Sequence, residues 1–139
     1  MRRYLLASHG KLSEGILDSV EMIIGKQYKI STISAYKNEE DDLNIQLRNM
    51  VLNIGKNDEL IIISDIFGGS VNNECMKLLN DHRVHLVSGL NLPLVIELLT
   101  SDDCEISTED LIKKSLENSK KLILYCNSII NKEVVDEEF

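Results

Sequence analysis

ELIIISDI, residues 59–66, is a continuous apolar run ended by an aspartate. A strand with one face in water alternates apolar and polar residues. A short run without alternation suits a strand buried on both faces, as in a parallel sheet covered by helices. The neighbouring segments repeat the theme. RRYLLAS (2–8), YKISTISAY (28–36) and VHLVSG (84–89) are short, apolar or β-branched, and the first and last stop at glycine. Between them lie helical periods. Leu12, Ile16, Val20 and Ile23 share one face, with Gly25 as the stop; Leu43, Leu47, Met50, Val51 and Ile54 follow the acidic NEEDD and end at Gly55. SVNNECMKLLN (70–80) reads as a third helix. NLPLVIELLT (91–100) is a fourth, capped by Asn91 with Pro93 in its first turn, and STEDLIKKSLENS (107–119) opens with a Ser107–Asp110 capping box. The alternation βαβαβαβα plus one helix predicts an α/β fold: a doubly wound, mostly parallel sheet with helices on both faces, expected in the common order 2-1-3-4. KKLILYCN (120–127) fits either an extension of the last helix or a fifth strand.

Composition narrows the function. The 139 residues suit one domain, drawn at 1–130, with KEVVDEEF inside a frayed acidic tail at 131–139. Fifteen Lys and Arg against 23 Asp and Glu give a net charge of −8, which argues against nucleic acid as a partner. No apolar stretch approaches a membrane span, and MRRYLLAS is interrupted too early for a secretory signal, so a cytoplasmic location is expected. Cys75, Cys104 and Cys126 are odd in number and form no CxxC pair, so neither a disulfide framework nor a zinc site is expected. Cys75 reads as core on the apolar side of the third helix. His82 and His85 read as solvated loop residues before the fourth strand, without a metal-ligand cluster around them.

Chemistry concentrates elsewhere. In doubly wound sheets ligands bind past the carboxyl ends of the strands where strand order reverses, between strands 1 and 3 in this order. His9 follows strand 1 and Asp65 ends strand 3, so two residues far apart in sequence are predicted neighbours. A carboxylate beside an imidazole fixes its tautomer and leaves the other nitrogen as nucleophile or base. Gly68 and Gly69 allow close backbone approach to an anion, and Ser70 either caps the next helix or turns its hydroxyl to the ligand. Each piece alone has a plainer reading: a structural histidine, a loop, a turn residue. Their convergence on one place describes a phosphohistidine site. The chain has neither a P-loop nor GxGxxG, and no cofactor is expected.

ASHGKLSEGILDSVEMIIGK, SDIFGGSVNNECMKLL and SGLNLPLVIELL resemble, in order and spacing, the enzyme IIA domain of the mannose/fructose/sorbose family of the bacterial phosphoenolpyruvate-dependent sugar phosphotransferase system. The resemblance runs over roughly residues 3–126. Its motifs are SHG after strand 1, D-x-x-GGS after strand 3 and G-x-N-x-P after strand 4. It implies a phosphoryl carrier: His9 accepts phosphate from phospho-HPr and passes it to a IIB component, which phosphorylates the sugar during uptake. It implies Asp65 as orienting partner, with Gly68, Gly69 and Ser70 as phosphate contacts. It also implies a homodimer with an exchanged C-terminal strand, which favours a strand at 120–127, and contact with the membrane only through the transporter components. The chain stops at residue 139 without a IIB domain, so that partner is expected on a separate polypeptide. Val71 stands where the family usually has proline.

Four other readings compete. The phosphoryl-carrying subunit of dihydroxyacetone kinase is similar in fold and early histidine but normally lacks the GGS loop. Histidine phosphatases and mutases carry RHG, where this chain has Ser8 before His9. A serine hydrolase would use Ser70, His9 and Asp65, but GGSVN lacks the second glycine of GxSxG. A regulatory module of the same fold without transport partners is the fourth.

Overall fold

The computed structural model describes residues 1–130. The chain forms two compact units, Met1–Ile96 and Glu97–Phe139. The first is built on strands β1 (Arg2–His9), β2 (Ile30–Ala35), β3 (Glu59–Ser64) and β4 (Val84–Ser88), with helices α1 (Leu12–Ile24), α2 (Leu43–Asn53) and α3 (Ser70–Met76) between them; α4 (Leu92–Ser101) follows β4 and runs past Ile96. All strand pairs are parallel, in the order β2-β1-β3-β4, as the alternation predicts.

Burial in the two central strands follows from covering both faces. Tyr4, Leu5, Leu6 and Ala7 of β1 and Leu60 to Ile63 of β3 are at most 1% exposed. Right-handed crossovers put α1, which leads from β1 outward to β2, on one face, and α2 and α3, which lead the other way, on the opposite face. Leu5, Ala7, Leu60 and Ile62 meet Leu43 and Leu47 of α2 and Val71 and Cys75 of α3 in one core cluster. Cys75 is wholly buried, and burial pushes its thiol up to about 12. Each buried aliphatic side chain contributes about 1.5–3 kcal/mol.

Helix α1 departs from its predicted face. Leu12 and Ile23 are exposed, and Ser13 and Val20 are the buried residues. Two hydrogen bonds draw Ser13 inward: its N–H donates to Ser8 Oγ at 2.8 Å and its hydroxyl donates to the Ile33 carbonyl at 3.0 Å. The buried stripe is thereby rotated by one residue. Helix α3 is shorter than the predicted 70–80. After Met76 the N–H groups of Lys77, Leu78 and Leu79 reach back three residues, to Glu74, Cys75 and Met76, and the helix tightens into turns. His85 is a strand residue rather than a loop one: it pairs with Ile61 across the β3–β4 ladder, and its Nε2 lies 2.6 Å from Glu59 Oε2.

Asn91 caps α4 as expected, accepting the Leu94 N–H at 3.0 Å. In the second unit α5 (Thr108–Lys120) begins at the Ser107 cap, whose hydroxyl oxygen accepts the Asp110 N–H at 3.1 Å. Asn118 Nδ2 donates to Glu97 Oε1 at 2.7 Å. Segment 120–127 is neither a fifth strand nor a continuation of α5. The helix ends at Lys120, the Leu122 N–H turns back to the Ser119 carbonyl, and a new helical stretch runs through 126–130. Among the described residues the sheet has four strands. The acidic tail at 131–139 lies outside the described residues.

Candidate functional site

The β1–α1 turn determines where His9 stands. β1 is held by β2 and β3 up to its end, so the residue leaving the sheet emerges at its carboxyl edge. Gly10 takes φ +56°, the left-handed region that glycine enters without penalty, and its N–H still donates to Ala35 O at 2.9 Å. Ser8 locks the turn from inside, accepting the Ser13 N–H and donating to the Gly10 carbonyl at 3.2 Å. His9 is therefore fixed through its backbone while 47% of its side chain remains exposed.

Asp65 leaves β3 beside it, and only 10% of its side chain is exposed. One carboxylate oxygen, Oδ2, lies 2.7 Å from both the His9 backbone N and the ring Nδ1. The other, Oδ1, accepts the Ile66 N–H at 2.8 Å. Burial pushes the Asp65 carboxyl up, but these bonds from His9 and Ile66 outweigh it and hold the group below the usual carboxylate range. A carboxylate at Nδ1 requires the proton on that nitrogen, so Nε2 carries the lone pair.

Nε2 faces the loop after β3. The Gly69 N–H returns to the Ile66 carbonyl at 3.2 Å, with Gly68 at φ +81° in the third position, where a turn of this type favours glycine. An added Cβ at Gly69 would lie 2.8 Å from Ile66 Cγ2 and 3.7 Å from His9 Cε1, so the glycine lets the turn close against the Ile66 side chain beside the histidine. Gly69 is also the N-cap of α3, so Ser70 is the first helical residue and not its cap. The Ser70 hydroxyl turns to the histidine instead, with Oγ 3.1 Å from Nε2. Among the described residues no group of three or more metal-ligating side chains comes together.

His9, Asp65, Gly68, Gly69 and Ser70 thus converge at the β1/β3 crevice. The site has one member that the motifs did not reveal. Tyr36, just past β2, donates its hydroxyl to Ser70 Oγ at 2.9 Å and sets its ring 5.3 Å from that of His9. The signal was an aromatic residue at the carboxyl end of the strand on the other side of β1; the switch-point rule directs attention only to the β3 side.

The arrangement has relatives. The family described as PTS system fructose IIA component matches residues 3–116. This chain belongs to that family. As a IIA chain it is 31% identical to the PTS system sorbose-specific EIIA component of Klebsiella pneumoniae over 109 residues, 77% of this chain and 78% of that one. It is 24% identical over 119 residues to the PTS system mannose-specific EIIAB component of Escherichia coli K12; the match takes in 84% of this chain and spans 37% of that longer protein. A crystal structure from Klebsiella pneumoniae, described as a candidate phosphoenolpyruvate-dependent sugar phosphotransferase system permease, superposes with a TM-score of 0.88 at 51% identity, covering 93% of each chain. Val71, directly after Ser70, is completely buried in the core cluster with residues of α2 and α3.

Proposed function

We propose that this IIA chain is the phosphoryl carrier of a mannose-family sugar phosphotransferase system, taking phosphate from phospho-HPr on His9 Nε2 and handing it to a IIB component. The observation that carries this reading is the imidazole held at Nδ1 by Asp65, with Nε2 turned to the Ser70 hydroxyl and nearly half of the side chain exposed. In the transfer, the P–N bond to the donor imidazole breaks as a P–Nε2 bond forms, and the electron pair of the broken bond returns to the donor ring. His9 keeps its Nδ1 proton, and the Asp65 carboxylate offsets the positive charge that the ring gains. Charge is moved and little covalent rearrangement occurs in the protein, so positioning and electrostatics dominate. Gly68 and Gly69 leave room for the phosphoryl group, and the Ser70 hydroxyl is placed to donate to it. The same chain would form a homodimer: Leu122, Ile123, Leu124 and Tyr125 are each more than half exposed, a contiguous apolar segment of the kind that marks an interface. No helix among the described residues is long and apolar enough to cross a membrane, which agrees with a cytoplasmic carrier that meets the membrane through its transporter.

One observation favours a second reading. Ser70 Oγ, His9 and Asp65 stand in the contact order of a hydrolytic triad, at 3.1 Å and 2.7 Å. Against it, Ser70 lies at a helix start without the GxSxG elbow, and Asn72, at the position of the second glycine, accepts the buried Ser64 hydroxyl at 2.7 Å. Incubation with enzyme I, HPr and phosphoenolpyruvate separates the two. The carrier gains acid-labile, base-stable label that His9→Ala abolishes without unfolding the chain. Ester hydrolysis without label would support the hydrolase.

A further inference from the structure

Tyr36 has φ 64°, and it is the one non-glycine residue with positive φ among the described residues. Left-handed backbone is unfavourable for a bulky side chain, and strain of this kind persists where surrounding contacts hold it. Here it delivers two contacts: the hydroxyl to Ser70 Oγ at 2.9 Å, and the ring to His9 at 5.3 Å with a 51° tilt. The motifs SHG, D-x-x-GGS and G-x-N-x-P do not include this position.

The protons around Ser70 can be assigned. Asp65 accepts the hydrogen bond of the His9 Nδ1–H, so Nε2 offers a lone pair to Ser70 Oγ at 3.1 Å. The serine hydroxyl has one proton and must give it to Nε2, leaving its oxygen to accept from Tyr36. Donation then runs in one direction, Tyr36 to Ser70 to His9 to Asp65, and donors in such a chain strengthen one another.

We propose that Tyr36 is a positioning residue for phosphoryl transfer: its hydroxyl fixes the direction of the Ser70 proton, toward Nε2 in the resting chain and toward a phosphoryl oxygen once Nε2 is phosphorylated. This rests on the carrier reading. No bond of Tyr36 or Ser70 breaks. As the P–N bond forms, the Ser70 hydroxyl rotates off Nε2 and onto the phosphoryl group, and Tyr36 keeps donating to Ser70 Oγ throughout. Without that donation the serine proton has no fixed direction and the phosphoryl group loses a polarised donor.

The test uses the full chain, Tyr36→Phe, Ser70→Ala and the double variant, with two readouts. The first is the 15N resonance of His9 Nε2 in the unphosphorylated protein. Ser70→Ala moves it toward that of a nitrogen free of hydrogen bonds, Tyr36→Phe moves it part of the way, and the double variant matches Ser70→Ala. The second is the rate of transfer from phospho-HPr, which Tyr36→Phe lowers about 3-fold to 10-fold in the wild-type background, the effect of one hydrogen bond. In the Ser70→Ala background the same change costs less than about 1.5-fold, because residues acting through one another are not additive. An unmoved Nε2 resonance in Tyr36→Phe, or an equal loss of rate in both backgrounds, overturns the role of Tyr36. Absence of label on the wild type overturns the carrier reading instead.

Discussion

Asp65 makes three hydrogen bonds with two oxygens, and two of them go to a single residue, His9. The backbone bond places the histidine and the ring bond selects its tautomer. Asp65→Asn keeps the size of the side chain but removes the charge that would balance the ring in the proposed phosphohistidine. Stopped-flow transfer from phospho-HPr should be at least ~10-fold slower in this variant, about 1.4 kcal/mol in barrier, with the fold retained. Asp65→Ala should transfer no faster than the asparagine variant, and Ser70→Ala should lose less than either. The same carboxylate links stability to acid. Its pKa is lower in the folded chain than in the unfolded one, so its contribution is complete above the unfolded value and is lost as pH falls through the folded one. Asp81 behaves alike, held at about 2 chiefly by the Arg83 side chain. Melting temperature should therefore drop as pH falls from about 4 toward 2, and Asp65→Asn should make that acid limb shallower. A melting temperature independent of pH over that range would contradict the assignment.

At the scale of the element, the turn after β1 does most of the positioning, and Ser8 is its internal brace. It is completely buried, accepts the Ser13 N–H and donates to the Gly10 carbonyl. Ser8→Ala leaves the buried Ser13 N–H without this acceptor, a cost of about 1–3 kcal/mol in denaturant unfolding, and it should also slow phosphoryl transfer by loosening His9. A variant of unchanged stability would remove Ser8 from the account. How far these elements were legible in the sequence depended on what fixed them. The unbroken run at 59–66 and the glycine stops pointed to a parallel sheet, because burial on both faces leaves a pattern in the chain itself; its order came from the common arrangement of doubly wound sheets. His9 and Asp65 were legible as neighbours because strand order alone brings their positions together. Three features were set by side chains meeting in space and left no periodic signal. Ser13 turned α1 inward by one residue, Tyr36 reached Ser70 from β2, and His85 paired with Glu59 inside the sheet. The end of α3 was misplaced because apolar Leu78 and Leu79 continue the helical period, whereas the backbone tightens after Met76.

At the scale of the whole molecule, the exposed Leu122–Tyr125 segment calls for a cover, and a second copy of the chain is the proposed one. Sedimentation at micromolar concentration should show a homodimer, and truncation after Ser119 should give monomers or aggregates; a monomeric full-length chain would contradict this. The proposed transfer rests on one atom, His9 Nε2. The most direct measurement is therefore the position of the phosphoryl group, read by 31P and 15N NMR on the protein after phosphorylation by enzyme I, HPr and phosphoenolpyruvate. A single phosphohistidine is expected at His9, bonded through Nε2 with Nδ1 still protonated and held by Asp65. Phosphate on Nδ1 of His9, or on His82 or His85, would contradict it.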